Sequence, residues 1–296
     1  MRFDPAQLSA LSSVLRTGAF DLAAAELGVT PSAISQRIKA LEDRVGAALV
    51  LRGTPCTATA AGQRLAKHAE DVGLLEAALA RDLTLPGTAP RTRLRVAVNA
   101  DSLATWFVQA LAPVPDMMFE LVIDDQDTSA DWLRRGEVSA AVTAASTDAP
   151  GCDRMALGAM RYVATASPEF VHRWFANGVQ AETLSRAPCL VFNAKDRLQM
   201  RWMQAVTGRR LSPPAHLLPS THAFVDAAAA GLGWGMNPEP LVRRALDRGA
   251  LVALRADTPL DVPLDWQVSR ALSGALAPLT ASVRSVARQM LLPPPR

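Results

Sequence analysis

The sequence predicts a multidomain α/β protein: an N-terminal helix-turn-helix with a small wing, a long connecting helix, and a larger region where strands and helices alternate. Three observations predict it. Residues 20–45 read as two helices about a tight Gly-Val-Thr-Pro turn, residues 59–83 carry one apolar seam at helical spacing, and beyond residue 91 short apolar runs alternate with helical patterns. A chain of 296 residues suggests more than one domain, and 49% hydrophobic residues are ample for packed cores.

The first helix starts at Asp4-Pro5, a cap followed by a proline where a missing N–H costs nothing, and Leu8, Leu11, Val14 and Leu15 give it an apolar face. Phe20, Ala23, Ala24 and Leu27 mark the buried face of the second helix. Gly28 and Val29 turn the chain, Thr30 caps the third helix, and Pro31 opens it. Ile34, Ile38, Leu41 and Val45 point inward by their spacing, so the opposite face carries Ser32, Ser35, Gln36 and Lys39. Short hydroxyls, an amide and one cation are what a helix needs to lie in the major groove of double-stranded DNA. Ala48 to Leu51, then Arg52 and a Gly-Thr-Pro-Cys-Thr turn, suggest a small β-wing.

From Thr59 to about Leu83 one helix is predicted, with Leu65, Ala69, Val72, Leu75, Leu79 and Leu83 as its seam. Leu85 to Arg91, rich in Pro and Gly, breaks it as a hinge. Further strands are expected at 94–98, 119–123, 140–143, 162–166, 189–192, 233–236, 250–254 and 265–269, in parallel sheets, with a last helix through 279–291.

The first sixty residues hold six basic side chains (Arg2, Arg16, Arg37, Lys39, Arg44, Arg52) against five acidic ones (Asp4, Asp21, Glu26, Glu42, Asp43). So even a balance gives a lone domain weak hold on DNA, and several copies acting together would supply the affinity. Cys56, Cys152 and Cys189 show no metal-ligand spacing, no stretch is long and apolar enough to span a membrane, and no signal-peptide segment opens the chain. A cytoplasmic protein without metal or cofactor is expected. Catalytic motifs are lacking: there is no Walker or Rossmann glycine pattern, nucleophile elbow or Ser/His/Asp arrangement. Gly231-Leu-Gly-Trp-Gly235 follows a helix and enters a strand, the reverse of a dinucleotide loop.

Residues 1–62 resemble the winged helix-turn-helix of the LysR-type transcriptional regulators. The resemblance is carried by Thr17-Gly-Ala-Phe20, Ala24-Ala-Glu-Leu-Gly-Val29, Pro31-Ser-Ala-Ile-Ser35 and Gln36-Arg-Ile-Lys-Ala-Leu-Glu42. Ala97 to Trp106 and Leu133-Arg-Arg-Gly-Glu137 are similar to one branch, the lysine/arginine-responsive regulators of basic amino-acid export. The wing departs from the family, reading Gly53-Thr-Pro-Cys-Thr-Ala-Thr59 where basic residues are usual, and Thr59-Ala-Ala-Gly62 replaces the usual opening of the next helix.

The resemblance implies a DNA-binding domain at 1–62, a linker and dimerisation helix at 59–85, and a hinge at 86–91. It also implies a two-lobed effector domain like a periplasmic binding protein, with lobe I at 91–162 plus 268–296 and lobe II at 163–267. It implies a homodimer or homotetramer through antiparallel linker helices, an operator contacted through Thr30, Pro31, Ser32, Ser35, Gln36, Lys39 and Arg52, RNA polymerase as a further partner, and control of amino-acid export or biosynthesis genes.

In open α/β sheets a ligand sits beyond the carboxyl ends of strands, at helix N-termini. Ser102, Thr143 and Thr221 are placed there as donors for an amino-acid carboxylate, and Asp101, Asp124 and Asp125 as anions for the charges of lysine or arginine. Asp127, Thr128 and Asp131 read instead as helix-start residues, His222 as a surface or cap residue, and Trp106 and Trp234 as core. Beside a LysR-type regulator of an unrelated pathway, two further functions compete: an architectural or replication-blocking DNA-binding protein without a physiological effector, and a cytosolic amino-acid binding module. The helix-turn-helix argues against the second, which has no use for it.

Overall fold

The structure, a computed structural model, describes residues 2–84, 92–123, 129–144 and 148–294. The predicted hinge at 86–91, Asp124, Asp125, Asp127 and Thr128 lie outside the described residues.

The N-terminal domain packs α1 (Pro5–Thr17), α2 (Phe20–Leu27) and α3 (Pro31–Val45) around Leu8, Leu11, Val14, Ala23, Ala24, Ile34, Ile38 and Leu41, all buried. Asp4 Oδ1 accepts from the N–H groups of Ala6 and Gln7, and Thr30 Oγ1 from that of Ala33, so both predicted caps satisfy orphan donors of the first turn. The wing is a two-stranded ribbon, β1 (Val50–Leu51) with β2 (Thr57–Ala58). Glu42 Oε1 ties it to α3 by accepting from the N–H groups of Leu49 and Val50. Gly62 lets the next helix approach: a Cβ there would stand 1.9 Å from the Leu49 carbonyl oxygen.

That helix, α4 (Ala60–Asp82), divides the seam expected of it. Leu65 and Ala69 pack on the core of the DNA-binding domain, while Leu75, Leu79 and Leu83 remain 46%, 58% and 57% exposed. Leu74, off the predicted seam, is buried in the core of the effector domain, and Ala78 packs against that core. Burying one leucine contributes about 1.5–3 kcal/mol, so Leu74 ties α4 to its own effector domain.

In the first lobe β3 (Thr92–Val98) is flanked by β4 (Met117–Ile123) and β5 (Ala140–Thr143), both parallel to it. Between β3 and β4 runs one helical stretch, 100–111, made of α5 (Ala100–Ser102), a π-turn over Leu103–Phe107 and α6 (Val108–Leu111). α7 (Ser129–Arg134) leads into β5. The long β6 (Cys152–Ala166) then crosses into the second lobe.

There follow α8 (Pro168–Trp174), α9 (Ala181–Arg186), β7 (Cys189–Val191), α10 (Leu198–Thr207), β8 (Ala215–Leu217), α11 (Thr221–Ala229), β9 (Gly235–Pro238), α12 (Glu239–Asp247) and β10 (Val252–Ala253). β11 (Leu260–Ser269) returns to the first lobe, where α13 (Ala277–Met290) closes the core with Leu279, Val283 and Ala287. Phe107 and Trp266 pack at a tilt inside that core with ring centroids 6.1 Å apart.

The sheet is mixed, which corrects the expectation of parallel sheets. Among the described residues its seven strands run β10-β6-β11-β5-β3-β4, with β9 also on β6, and β6, β9, β10 and β11 pair antiparallel. The two crossing strands cause this, because each runs through both lobes and they lie against each other for the whole of β11, with a register shift at Leu264/Asp265. Asp265 to Val268 already pair with β5, so the first lobe takes up the returning strand before residue 268.

The first halves of both crossing strands escaped the sequence pattern for a physical reason. Pro263 sits opposite Ala159, beside Gly158. Gly158 has φ of 136° and a space where a Cβ would lie 2.3 Å from the Leu292 carbonyl, so the C-terminal segment can lie on the strand. β8 was missed because Ala215, His216 and Leu217 are all exposed and show no alternation.

Candidate DNA-reading face and interlobe site

On α3, Pro31, Ser32, Gln36 and Lys39 are exposed and Ser35 is half-buried, so the polar face projects away from the three-helix core. The Thr30 hydroxyl is engaged twice, by the Ala33 N–H and by Ser32 Oγ at 2.9 Å, which assigns it to holding the start of the reading helix. Arg52 is exposed at the wing, with its guanidinium over the Phe20 ring of α2 at 5.4 Å from the centroid.

Between the lobes the central group is Asp101. One carboxylate oxygen accepts from the Tyr162 hydroxyl at 2.7 Å and the other from the Thr221 hydroxyl at 3.0 Å. Asp101 lies at the start of the 100–111 helix in the first lobe, Thr221 opens α11 in the second, and Tyr162 is on the crossing strand β6, so three elements meet on one carboxylate. Protein packed around it pushes its pKa above the usual aspartate range; the two hydroxyl donors pull it down, and the charge of Asp196 adds to the rise. A carboxylate accepts about four hydrogen bonds, so Asp101 keeps capacity for a cationic group.

Thr221 was expected to donate to a ligand carboxylate. Its hydroxyl instead donates to Asp101, which makes it a bridge between lobes. Ser102 is fully buried; its N–H donates to Asn99 Oδ1 at 3.1 Å, while its Oγ has no hydrogen-bond partner. Thr143, at the carboxyl end of β5, is also fully buried, and its Oγ1 accepts from Gln267 Nε2 at 3.0 Å. Gln267 in turn accepts from the Ala149 N–H at 2.8 Å. Asp101 and Thr221 are thus brought together, Ser102 is buried next to Asp101 in the chain, and Thr143 is held by Gln267 of β11. π-turns such as the one after Ser102 cluster at functional sites.

Residues that sequence reasoning did not single out complete the picture. Tyr162 is the only tyrosine of the chain, and nothing in its strand pattern marked its hydroxyl. Asp196, in the loop before α10, accepts from the N–H groups of Phe192 and Leu198. Gln199 is 3% exposed with neither amide atom paired, and Asn237 Nδ2 donates to Thr165 Oγ1 at 2.9 Å inside the second lobe. Trp106 and Trp234 are buried, and Trp234 packs on Trp202 with ring centroids 5.2 Å apart. His222 is exposed. Cys56, Cys152 and Cys189 are free, and burial pushes the Cys189 thiol up to about 11, which keeps it neutral and poorly reactive. Among the described residues no helix is long and apolar enough to cross a membrane.

A DNA-reading head on a long helix, joined to a hinged pair of α/β lobes, is the build of a ligand-responsive transcriptional regulator. Residues 5–63 match the family described as bacterial regulatory helix-turn-helix protein, lysR family, and residues 87–291 match the LysR substrate binding domain, so the chain belongs to the LysR family. It is 43% identical over 286 residues to the HTH-type transcriptional regulator LysG of Mycobacterium tuberculosis (strain ATCC 25618 / H37Rv), covering 97% of this chain and 94% of that protein. The crystal structure of ArgP from Mycobacterium tuberculosis superposes with a TM-score of 0.81 at 42% identity, over 99% of this chain and 100% of that one. Full-length LysG from Corynebacterium glutamicum with bound effector Arg gives a TM-score of 0.67 at 35% identity, over 98% and 100%. The chain is a DNA-binding transcriptional regulator of the LysR type.

Proposed function

We propose that this regulator senses a basic amino acid, arginine or lysine, in the cleft between its lobes, and controls genes of amino-acid export or biosynthesis. The observation that carries the amino-acid part of the reading is Asp101, a poorly solvated carboxylate on which both lobes converge. A cation brought there recovers the cost of ionising it, whereas a neutral ligand does not. The α-ammonium of the effector binds Asp101, its carboxylate takes the unpaired Ser102 Oγ and nearby N–H groups of the helix start, and its distal charge extends toward Thr143, with Asp124 or Asp125 as its partner. The arginine bound by the LysG relative supports the choice of effector.

The protein works by binding, in the cytoplasm and without a cofactor. It assembles as a homodimer through the exposed Leu75, Leu79 and Leu83 of α4, with a homotetramer as the larger form, and meets RNA polymerase at the promoter. The operator is read by Ser32, Ser35, Gln36 and Lys39, with Thr30 and Pro31 shaping the helix start and Arg52 serving phosphate from the wing. A thermal-shift screen of the twenty amino acids tests the effector, since a ligand that binds only the folded protein raises its melting temperature. Arginine and lysine are expected to raise it, and no rise with either at millimolar concentration overturns the reading.

A further inference from the structure

We propose that Gln199 is an effector contact from the second lobe, its side-chain amide pairing with the carboxylate and ammonium at the amino-acid end of the ligand. This rests on the amino-acid reading above and adds the group that closes the site from the other side.

Gln199 lies in the first turn of α10, 3% exposed, and neither its Oε1 nor its Nε2 has a hydrogen-bond partner. A buried primary amide with both ends unpaired is costly, and folded proteins rarely leave one so without a use for it. The topology locates it. β7 and β8 are parallel and in register, Cys189 to Val191 beside Ala215 to Leu217, so their carboxyl ends lie at one end of the lobe. α11 follows β8, and its first residue, Thr221, donates to Asp101 of the opposite lobe. That end of the lobe therefore faces the cleft. α10 follows β7 at the same end, which brings its first turn to the cleft as well. The charge of Asp196, just before α10, adds to the rise in the Asp101 pKa, in keeping with that placement.

The helix that carries Gln199 is firmly seated. Trp202, one turn on, is buried against Trp234 and donates from Nε1 to the Thr258 carbonyl at 2.8 Å. Asp196 fixes the entry to α10 by accepting from the Leu198 N–H at 2.9 Å. Gln199 is thus a preorganised amide on a rigid element.

The chemistry selects the amino-acid end of the ligand. A primary amide offers a donor and an acceptor side by side. The α-carboxylate and α-ammonium of an amino acid present an acceptor and a donor on one carbon, whereas a guanidinium or a lysine ammonium presents donors alone and would leave Nε2 unpaired. Asp101 and Ser102 hold the same end from the first lobe, so Gln199 completes a clasp on it from the second.

The test uses the full-length protein, titration calorimetry, and two ligands: L-arginine, and agmatine, which keeps the guanidinium and the amine but lacks the carboxylate. Gln199→Met preserves size and removes both hydrogen-bonding groups. It is expected to weaken arginine binding roughly 10- to 100-fold while changing agmatine binding far less, with the melting temperature of the unliganded protein maintained or raised. Gln199→Glu preserves shape but sets an anion against the ligand carboxylate, and is expected to lose arginine while keeping or improving agmatine. Unchanged arginine affinity in both variants overturns the proposal and leaves the effector reading standing. Equal losses for the two ligands show that Gln199 makes no contact with the carboxylate and overturn the assignment made here. Failure of the wild type to bind arginine or lysine removes the effector reading itself, and this inference with it.

Discussion

Replacing Asp101 by Asn separates binding of a cation from the architecture of the cleft. The amide keeps the shape and the links: Oδ1 still accepts from Tyr162, and Nδ2 can donate to the Thr221 hydroxyl, which then accepts. Only the negative charge goes. Because Asp101 is half-buried rather than sealed, the loss for an arginine or lysine ligand is set at the lower end for unpairing a desolvated charge, about 2–3 kcal/mol, or roughly 30- to 150-fold in Kd.

The pKa adds a second handle. Desolvation holds Asp101 above the usual aspartate range, so folding favours its protonated form. Its contribution to stability is therefore whole below the ordinary aspartate pKa and is lost as the pH rises through the raised value. Over that same rise the carboxylate forms, and effector affinity climbs. Without ligand at neutral pH, Asp101→Asn should melt no lower than the wild type, and its melting point should vary less with pH across the window above the ordinary aspartate range. Calorimetric titration at several pH values, with melting curves alongside, measures both effects. Wild-type affinity in the variant, or a wild-type affinity that does not climb with pH, would refute the reasoning.

Other perturbations reach the remaining parts of the molecule. Leu79→Glu puts a charge on the exposed face of α4 and is expected to dissociate the dimer in sedimentation and abolish tight operator binding; an unchanged oligomer would show that this face is not the interface. Gln36→Ala removes an exposed amide from the reading helix and should cost about 1–3 kcal/mol on the cognate operator with little change on random DNA, measured by competition binding; equal losses would move Gln36 from reading to positioning. Gly62→Ala drives a methyl into the Leu49 carbonyl and should cost about 1–3 kcal/mol or more in the DNA-binding domain, seen as a lowered calorimetric transition and lost DNA binding, with arginine affinity retained.

The helix-turn-helix was legible because its signals are local. The Asp4-Pro5 and Thr30-Pro31 caps, the glycine turn and the i, i+3, i+4 spacing each act within a few residues, and the helices form where those signals stand. The linker helix was legible as a helix but not in its partners. Leu65, Leu74 and Leu79 differ only in what folds against them, and that is decided by residues far away in the chain. The crossing strands were half legible: Gly158 and Pro263 lower the strand signal where long-range pairing and the C-terminal segment compensate. In the site, strand ends pointed to Ser102, Thr143 and Thr221, but no spacing shows that the Thr221 hydroxyl is spent on Asp101. Nor does any spacing show that Gln199 is buried without a partner.

The packing of α4 constrains how a closed cleft can reach the DNA. Leu74 lies in the core of the effector domain, and Arg81 donates to the Ala275 carbonyl at 3.1 Å, so the far half of α4 is fastened there. Its near half, through Leu65 and Ala69, is fastened to the reading head. The 100–111 helix that carries Asp101 belongs to the same body, since Ser282 Oγ of α13 donates to the Ala110 carbonyl at 2.7 Å. Between the head and the first lobe lies a cavity of about 590 Å³ lined by charged groups that include Arg16, Lys67, Glu70, Arg93, Arg95 and Glu120. Water and ions compete for such groups, so this contact holds the head far less firmly than the apolar packing on α4 does. Head, linker and first lobe therefore form a unit within each chain, and the second lobe is joined to it through β6, β11 and the Thr221–Asp101 hydrogen bond. When an effector binds between Asp101 and the second lobe, the internal geometry of that unit has little reason to change. In the proposed dimer, what changes is the surface the closed lobes present to the other copy, and with it the spacing of the two heads. The expected outcome is an effector-dependent change in the footprint and bend of the bound operator, with each head reading its half-site through the same contacts, and a footprint unchanged by arginine would refute it.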